Sequence, residues 1–421
     1  MIQTIELFPG ITLRCIRQSK FKQGCLSIQI VRPMASGEAS VNALIPAILL
    51  RGTQDHPDLR SITLKLDDLY GASVGTLVRR IGDYQTTGLY CNFMEDRFAM
   101  EGDRILQPMT DFLQELMFHP VMEDGGFSQA FTESEKRNLI LTIESERNDK
   151  RLYAASQLLR LMCKGDSFGI PRLGEIHQAQ RICAKSAYAH YQKILWESPM
   201  VLFYVGSAPA EEVSALLKPI FAQIKRDYQP LAPQGEFRGG AGAHRQEQME
   251  VSQAKLGMGF VTPITNRKPE FAAMQLLNTI FGAGMTSKLF LQLREELSLC
   301  YSIHSGYYGA KGILTVNAGI DPENETLARE KILQQLQLCC EGNISQEELV
   351  SAKEAILSGI RSVHDSPGAM EGYYSTQLLS GGCFDLNQYR QAIENATLEQ
   401  VVSAAKTLSY HSSFVLKGVA Q

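Results

Sequence analysis

Alternation of apolar and polar positions marks the opening of this chain as strand-forming. Residues 2–7 and 11–16 alternate, and 27–31 is a short apolar-rich run, so all three are expected as strands. The stretch 41–50 is apolar almost throughout and is expected as a helix, while 61–70 shows the periodicity of an amphipathic one. A further strand is expected at 85–92, and helices at 104–118, 126–150, 271–281 and 287–296.

The pattern repeats. Leu26-Ser-Ile-Gln-Ile-Val-Arg-Pro33 and Leu256-Gly-Met-Gly-Phe-Val-Thr-Pro263 are both apolar runs that end at proline and lead into helical text. A second pair, Ser134-Glu-Lys-Arg-Asn-Leu-Ile-Leu-Thr-Ile143 and Ser351-Ala-Lys-Glu-Ala-Ile-Leu-Ser-Gly-Ile360, matches at greater length. Each is followed by helical text and then an apolar strand, at 200–206 and 413–418. The expected fold class is therefore α+β, with two homologous α/β-sandwich halves, each a mostly antiparallel sheet covered by helices. The boundaries fall at 1–227 for the first half and 249–421 for the second. Residues 228–248, rich in Pro, Gly, Gln and charge and without apolar period, are expected as the linker.

Composition narrows the functional classes. Hydrophobic residues make up 44% of the 421 positions and charged residues 20%, the balance of an ordinary globular protein. With 41 basic and 45 acidic residues the net charge is −4, and there is no long basic run, so nucleic acid is not an expected partner. No apolar run reaches the ~18 residues of a membrane-spanning helix, and the first residues do not have the build of a secretory leader. The nine cysteines are scattered, without a C-x-x-C pair, which suggests reduced thiols and a cytoplasmic location. The eight histidines include no pair at i, i+3 or i, i+4, so no helix offers a two-histidine metal grip. There is no G-x-S-x-G, and no cysteine stands in a local nucleophile signature.

Ala43-Leu-Ile-Pro-Ala-Ile-Leu-Leu-Arg-Gly-Thr53 resembles the signature helix of the pitrilysin/insulinase metallopeptidases. Active members carry H-x-x-E-H there: two histidines one turn apart grip a Zn²⁺ and the glutamate is the general base for its water. The resemblance puts those positions on Ala43, Pro46 and Ala47, none of which can bind zinc or move a proton. Pro46 also removes a helix hydrogen bond unless it lies in the first turn. The Arg51-Gly52-Thr53 ending is kept. The family's third ligand, a glutamate on a later helix, falls on Glu144 within Leu141-Thr-Ile-Glu-Ser-Glu-Arg-Asn148. A single carboxylate does not replace two imidazoles, so no catalytic residue and no metal site are expected in this chain.

The stretch from Phe281 to Ser302, beginning Phe-Gly-Ala-Gly-Met-Thr-Ser-Lys-Leu-Phe, is similar to the family's C-terminal block. Its glycines, Gly282 and Gly284, allow backbone angles that other residues resist, or form a plain turn. By the resemblance Tyr301 holds a substrate-facing tyrosine position. The substrate-facing arginine falls on Leu297 and the following glycine on Ser298, and Arg294 matches a structural basic residue. What the resemblance implies is a catalytically inactive, bacterial-type subunit that completes the peptide-binding chamber for a zinc-bearing pitrilysin-type partner chain and holds no cofactor itself. Two alternatives are a stand-alone peptide-binding or scaffold protein, including a homodimer, and an enzyme whose chemistry has moved to a new site.

Overall fold

The computed structural model describes residues 2–418; Met1 and the last three residues of the expected second half lie outside them. Three strands open the chain, β1 (Ile2–Phe8), β2 (Ile11–Arg17) and β3 (Gln23–Pro33), followed by α1 (Ser36–Leu49) and α2 (Leu59–Asp68). Next come β4 (Ser73–Ile81), β5 (Tyr84–Met94), α3 (Leu106–Phe118), the short pair β6 (Met122–Glu123) and β7 (Gly126–Phe127), and the helices α4 (Gln129–Asn148) and α5 (Lys150–Met162). One turn, α6 (Ile176–Ala179), leads to α7 (Ala184–Glu197), β8 (Met200–Gly206) and α8 (Ala210–Ala222). The rest of the chain forms β9 (His244–Gln248), β10 (Ala254–Val261), α9 (Phe271–Asn278), β11 (Cys300–Tyr308), β12 (Ile313–Ile320), α10 (Glu325–Cys340) and α11 (Gln346–Val363). It closes with α12 (Pro367–Ser380), α13 (Leu386–Asn395), α14 (Leu398–Ala405) and β13 (Ser409–Lys417).

The two main sheets have one topology. The first runs β1-β2-β8-β3-β5-β4, and the second, read from its other end, runs β9-β13-β10-β12-β11. In the first, β1 lies antiparallel on β2; beyond it the two sheets agree, with one parallel pair (β2 with β8, β9 with β13) and every later pairing antiparallel. The matched runs from the sequence therefore land on equivalent central strands, β3 and β10, and the matched helical texts on α4 and α11. β1 is the extra strand of the first sheet.

Central strands are buried on both faces, which is why they read as nearly unbroken apolar runs. β8 is buried along its whole length and β3 at every residue between its ends. Close pairing of β3 and β5 depends on Gly88, where a Cβ would stand 1.9 Å from the Ile28 carbonyl oxygen. The helices α1, α3, α7 and α8 close one core against the first sheet, and α9, α10, α11, α13 and α14 close another against the second.

The chain divides into two compact units, each made of three stretches of sequence. The first comprises residues 1–143, 170–233 and 364–375; the second comprises 144–169, 234–363 and 376–421. In the second unit α5 packs on β10 and β13. Alternating glycines in β10 make this possible: Leu256, Met258 and Phe260 point into one core, while Gly257 and Gly259 leave the other face open to Leu158 and Met162 of α5. In the first unit the segment 364–375 is held by Glu371, wholly buried, whose carboxylate accepts from Ser27 Oγ (2.8 Å), Gln29 Nε2 (2.8 Å) and Arg79 (2.7 Å). Ser375 Oγ adds a bond to Gln29 Oε1 at 3.0 Å. Each unit thus takes one helical segment from the other half of the sequence.

Local differences from the expected elements have visible causes. The helix expected over 126–150 starts as β7 and ends at Asp149, whose carboxylate caps α5 by accepting from the N–H groups of Arg151 and Leu152 at 3.0 and 3.2 Å. The expected linker 228–248 ends in a strand, β9, whose register places His244 beside Ser413. The helix text at 287–296 becomes a wide π coil over Phe290–Glu296. β4 carries little strand signal in its sequence, because Ser73-Val-Gly-Thr-Leu-Val-Arg-Arg-Ile81 lies at a sheet edge and only Leu77 and Ile81 are buried in it.

Candidate functional site: a helix without metal ligands

α1 is buried on nearly every side from Ala39 to Leu49. That explains its apolar sequence, since a helix enclosed all round has no polar face to show. Pro46 lies in its interior, and the helix continues beyond it, with Leu50 N–H donating to the Pro46 carbonyl at 3.2 Å. Pro46 has no N–H, so the Asn42 carbonyl one turn earlier loses its helical donor. Thr87 on β5 replaces it, donating from Oγ1 at 2.5 Å.

The Asn42 side chain anchors a buried amide network beside this repair. Its Nδ2 donates to Gln85 Oε1 at 2.9 Å, and its Oδ1 accepts from His190 Nε2 at 2.7 Å. Gln85 Nε2 in turn donates to the carbonyls of Ala39 (3.0 Å) and Arg172 (2.8 Å). Burial holds His190 below the usual histidine range, with Glu38 opposing, so the ring is a neutral donor at physiological pH. One turn before Asn42 in α1, Glu38 accepts from Arg32 Nε at 3.0 Å and from Nη2 at 2.7 and 3.0 Å, while Arg32 Nη1 reaches Glu197 at 2.5 Å. Burial alone would raise the Glu38 carboxyl, but the hydrogen bonds and charge of Arg32 bring it below its ordinary value.

Of the positions singled out in the sequence, Ala43 and Pro46 are buried in α1 and Ala47 is half-buried. Their alkyl side chains carry no lone pair, so the zinc of active pitrilysin-type enzymes does not fit them. Glu144 is exposed near the end of α4 and is counted with the second compact unit, whereas α1 belongs to the first. Among the described residues no group of three or more His, Cys, Asp or Glu is placed to hold a metal ion. Arg51-Gly52-Thr53 has a structural task. A Cβ on Gly52 would stand 2.6 Å from the Pro57 carbonyl oxygen; Thr53 Oγ1 donates to Glu115 and accepts the His56 N–H at 2.8 Å. Arg51 pairs with Glu135 at 3.3 Å.

Tyr301 lies on β11 with 57% of its surface exposed, its hydroxyl 3.4 Å from each Asp321 oxygen. Neither Gly282 nor Gly284 has positive φ. Gly282 is needed for space instead, since a Cβ there would meet Ser305 Oγ at 2.7 Å, and Gly284 has open space around it until 4.0 Å. The residue that does take the left-handed conformation is Ser298, at φ 50°, where the resemblance expects glycine. The residues that sequence reasoning missed are Asn42, Gln85, Thr87 and His190. The available signal was a lone asparagine in an apolar helix with proline four residues on.

The chain is thus a duplicated α/β layer whose α1 carries only alkyl side chains at positions 43, 46 and 47. In sequence the chain is similar to the M16 peptidase family, that of the pitrilysin/insulinase type. Residues 181–356 match the family model described as "Peptidase M16 inactive domain". Over 409 residues the chain is 27% identical to the probable inactive metalloprotease YmfF of Bacillus subtilis, covering 97% of this chain and 96% of that one. A crystal structure of a conserved protein from Enterococcus faecalis V583 superposes with a TM-score of 0.92 at 25% identity, covering 100% of this chain and 99% of the other. The peptidase M16 inactive domain from Pseudomonas fluorescens shares the fold, with a TM-score of 0.82 at 17% identity and coverage of 100% and 99%.

Proposed function

We propose that this chain is the metal-free subunit of a two-chain peptidase and completes the peptide-binding chamber for a zinc-bearing pitrilysin-type partner. The observation that carries the reading is α1, where Ala43, Pro46 and Ala47 occupy the signature positions and Thr87 makes good the bond that Pro46 removes. The helix has been rebuilt as core, so its loss of donors is accommodated by the packing around it. Edge strands support a peptide-binding role. β4 and β11 each pair with one neighbour only in their sheets, and an extended peptide adds to such an edge through backbone hydrogen bonds with little demand on its sequence. Tyr301, exposed on β11, is the candidate substrate contact. No cofactor belongs to this chain in the proposal; zinc is supplied by the partner. A cytoplasmic location is part of the same reading, supported by nine cysteines that are all free thiols.

Reconstitution tests the proposal. The purified chain should contain substoichiometric zinc by elemental analysis and leave quenched fluorogenic peptides uncut. Adding the H-x-x-E-H relative from the same source should raise cleavage at least tenfold over that relative alone, with the two chains co-eluting. One tightly bound zinc per chain, or no gain on mixing, would overturn it. A stable homodimer that binds peptide without any gain on mixing would support the scaffold alternative.

A further inference from the structure

The second unit has a polar corner on its sheet that the preceding reading leaves unused. Strand pairing puts Ser302 of β11 opposite Gly319 of β12, which lies opposite Lys255 of β10. The next row is His304, Asn317 and Gly257. Side chains paired in this way share one face of a sheet. It is the face on which α5 packs, since Gly257 lies against Leu158. A cavity of about 170 Å³ opens at the start of α5, with Arg151, Lys255, Ser302, His304, Asn317 and Gly319 in its lining and no carboxylate among its lining residues.

Gly319 creates the corner. A Cβ built on it would stand 3.1 Å from Ser302 Oγ, 3.3 Å from Lys255 Nζ and 3.6 Å from Gln253 Oε1. The lysine ammonium therefore leans over β12 into space that any larger residue would occupy, and there it approaches a hydroxyl from the far strand. Lys255 donates to Gln253 Oε1 at 3.1 Å, which uses one of its three N–H groups. The acid whose charge acts on Lys255, Asp149, is engaged in capping α5, and its carboxylate is 3.5 Å from the largely exposed Arg151 guanidinium. Burial and the charge of Arg151 lower the Lys255 pKa, with Asp149 opposing them. The corner is thus a positive, partly desolvated site with spare donors.

We infer that this corner binds a carboxylate of an extended acidic peptide lying along the free edge of β11. A strand added there places alternate side chains in line with Ser302 and His304, about 5 Å from them. An acidic side chain in that row meets the Ser302 hydroxyl and the Lys255 ammonium that reaches over Gly319. A terminal carboxylate offers the same chemistry. The inference rests on the proposed function in taking the ligand to be a peptide, but it needs neither the partner nor zinc.

Fluorescence anisotropy on the purified full chain, without partner, tests it. Three dye-labelled peptides of alternating Thr and Val serve as probes: one with a central Glu and an amidated end, one with Gln in its place, and the Gln peptide with a free terminal carboxylate. A carboxylate-bearing peptide should bind about tenfold tighter than the amidated Gln peptide, as a charge-assisted hydrogen bond supplies. The advantage should shrink at high salt. Lys255→Met should abolish it with an unchanged circular dichroism spectrum, and Lys255→Arg should keep most of it. Whichever peptide, Glu or free terminus, shows the advantage identifies the source of the carboxylate, and either supports the inference. Equal binding of all three, an advantage that survives Lys255→Met, or displacement by inorganic sulfate as effective as by peptide would overturn it. Failure of the zinc-bearing partner to gain activity would leave these affinities unchanged, so the two proposals fail separately.

Discussion

Pro46 and Thr87 form a pair whose interdependence can be measured. Thr87→Val keeps the shape of the side chain and removes the hydroxyl that donates to the Asn42 carbonyl at 2.5 Å. Asn42 and Thr87 are 0% and 1% exposed, so water does not replace the donor. Leaving a buried carbonyl unpaired costs about 1–3 kcal/mol. For a cooperative unit of 150–250 residues each kcal/mol lowers the melting temperature by about 2–4 °C. Pro46→Ala changes the arithmetic, because it restores an N–H aimed at the same carbonyl within a helix that already continues past this point. In the Pro46→Ala background, Thr87→Val should cost less than in the natural protein, by about 1–2 kcal/mol. Urea unfolding followed by circular dichroism, with calorimetry for the melting temperature, reads all four proteins of the cycle. If Thr87→Val costs the same with and without Pro46, the hydroxyl is not standing in for the missing N–H, and this account of α1 is wrong.

Further outcomes follow from the same structure. Arg79→Met should destabilise the first unit by roughly 3 kcal/mol, because it strands the wholly buried Glu371 carboxylate without its cation; Arg79→Met with Glu371→Gln should recover part of that loss in urea titrations. The folded-state pKa of His190 lies below its unfolded value, so its contribution to stability is complete above about pH 6.5 and is lost as pH falls towards the folded value. Glu38, also lowered, adds a second loss at still lower pH, as the pH falls below its ordinary carboxylate value and through its folded one. Melting temperature should therefore drop from neutral pH to about pH 5, and less steeply in His190→Gln; a flat profile, or one the variant does not alter, contradicts the neutral-donor assignment. Gly88→Ala should abolish soluble expression, since its Cβ would stand 1.9 Å from backbone, while Gly75→Ala, with nothing within 4 Å, should melt within a few degrees of the natural protein.

The sequence by itself determined the duplication, the fold class and the lack of ligand atoms in the side chains at 43, 46 and 47. These are readable because they rest on local facts: periodicity, a repeated order of elements, and side chains at 43, 46 and 47 that have no donor atoms in any conformation. It also showed that Arg51-Gly52-Thr53 is kept, though not that Gly52 is held there by the approach of the Pro57 carbonyl. What only the tertiary structure decided depends on partners far apart in the chain. Glu371 reads as an ordinary helix residue until Ser27, Gln29 and Arg79 surround it, and Lys255 as a strand lysine until Gly319 makes room for it. The exchange of α5 and the 364–375 segment between units is hidden for the same reason. A helix shows its own apolar stripe, but which sheet buries that stripe is decided by the shape of the receiving face, here the two glycines of β10 and the buried polar row of β3. Asn42 lies between the two cases: its oddness in an apolar helix was visible, and its meaning waited for Gln85, Thr87 and His190.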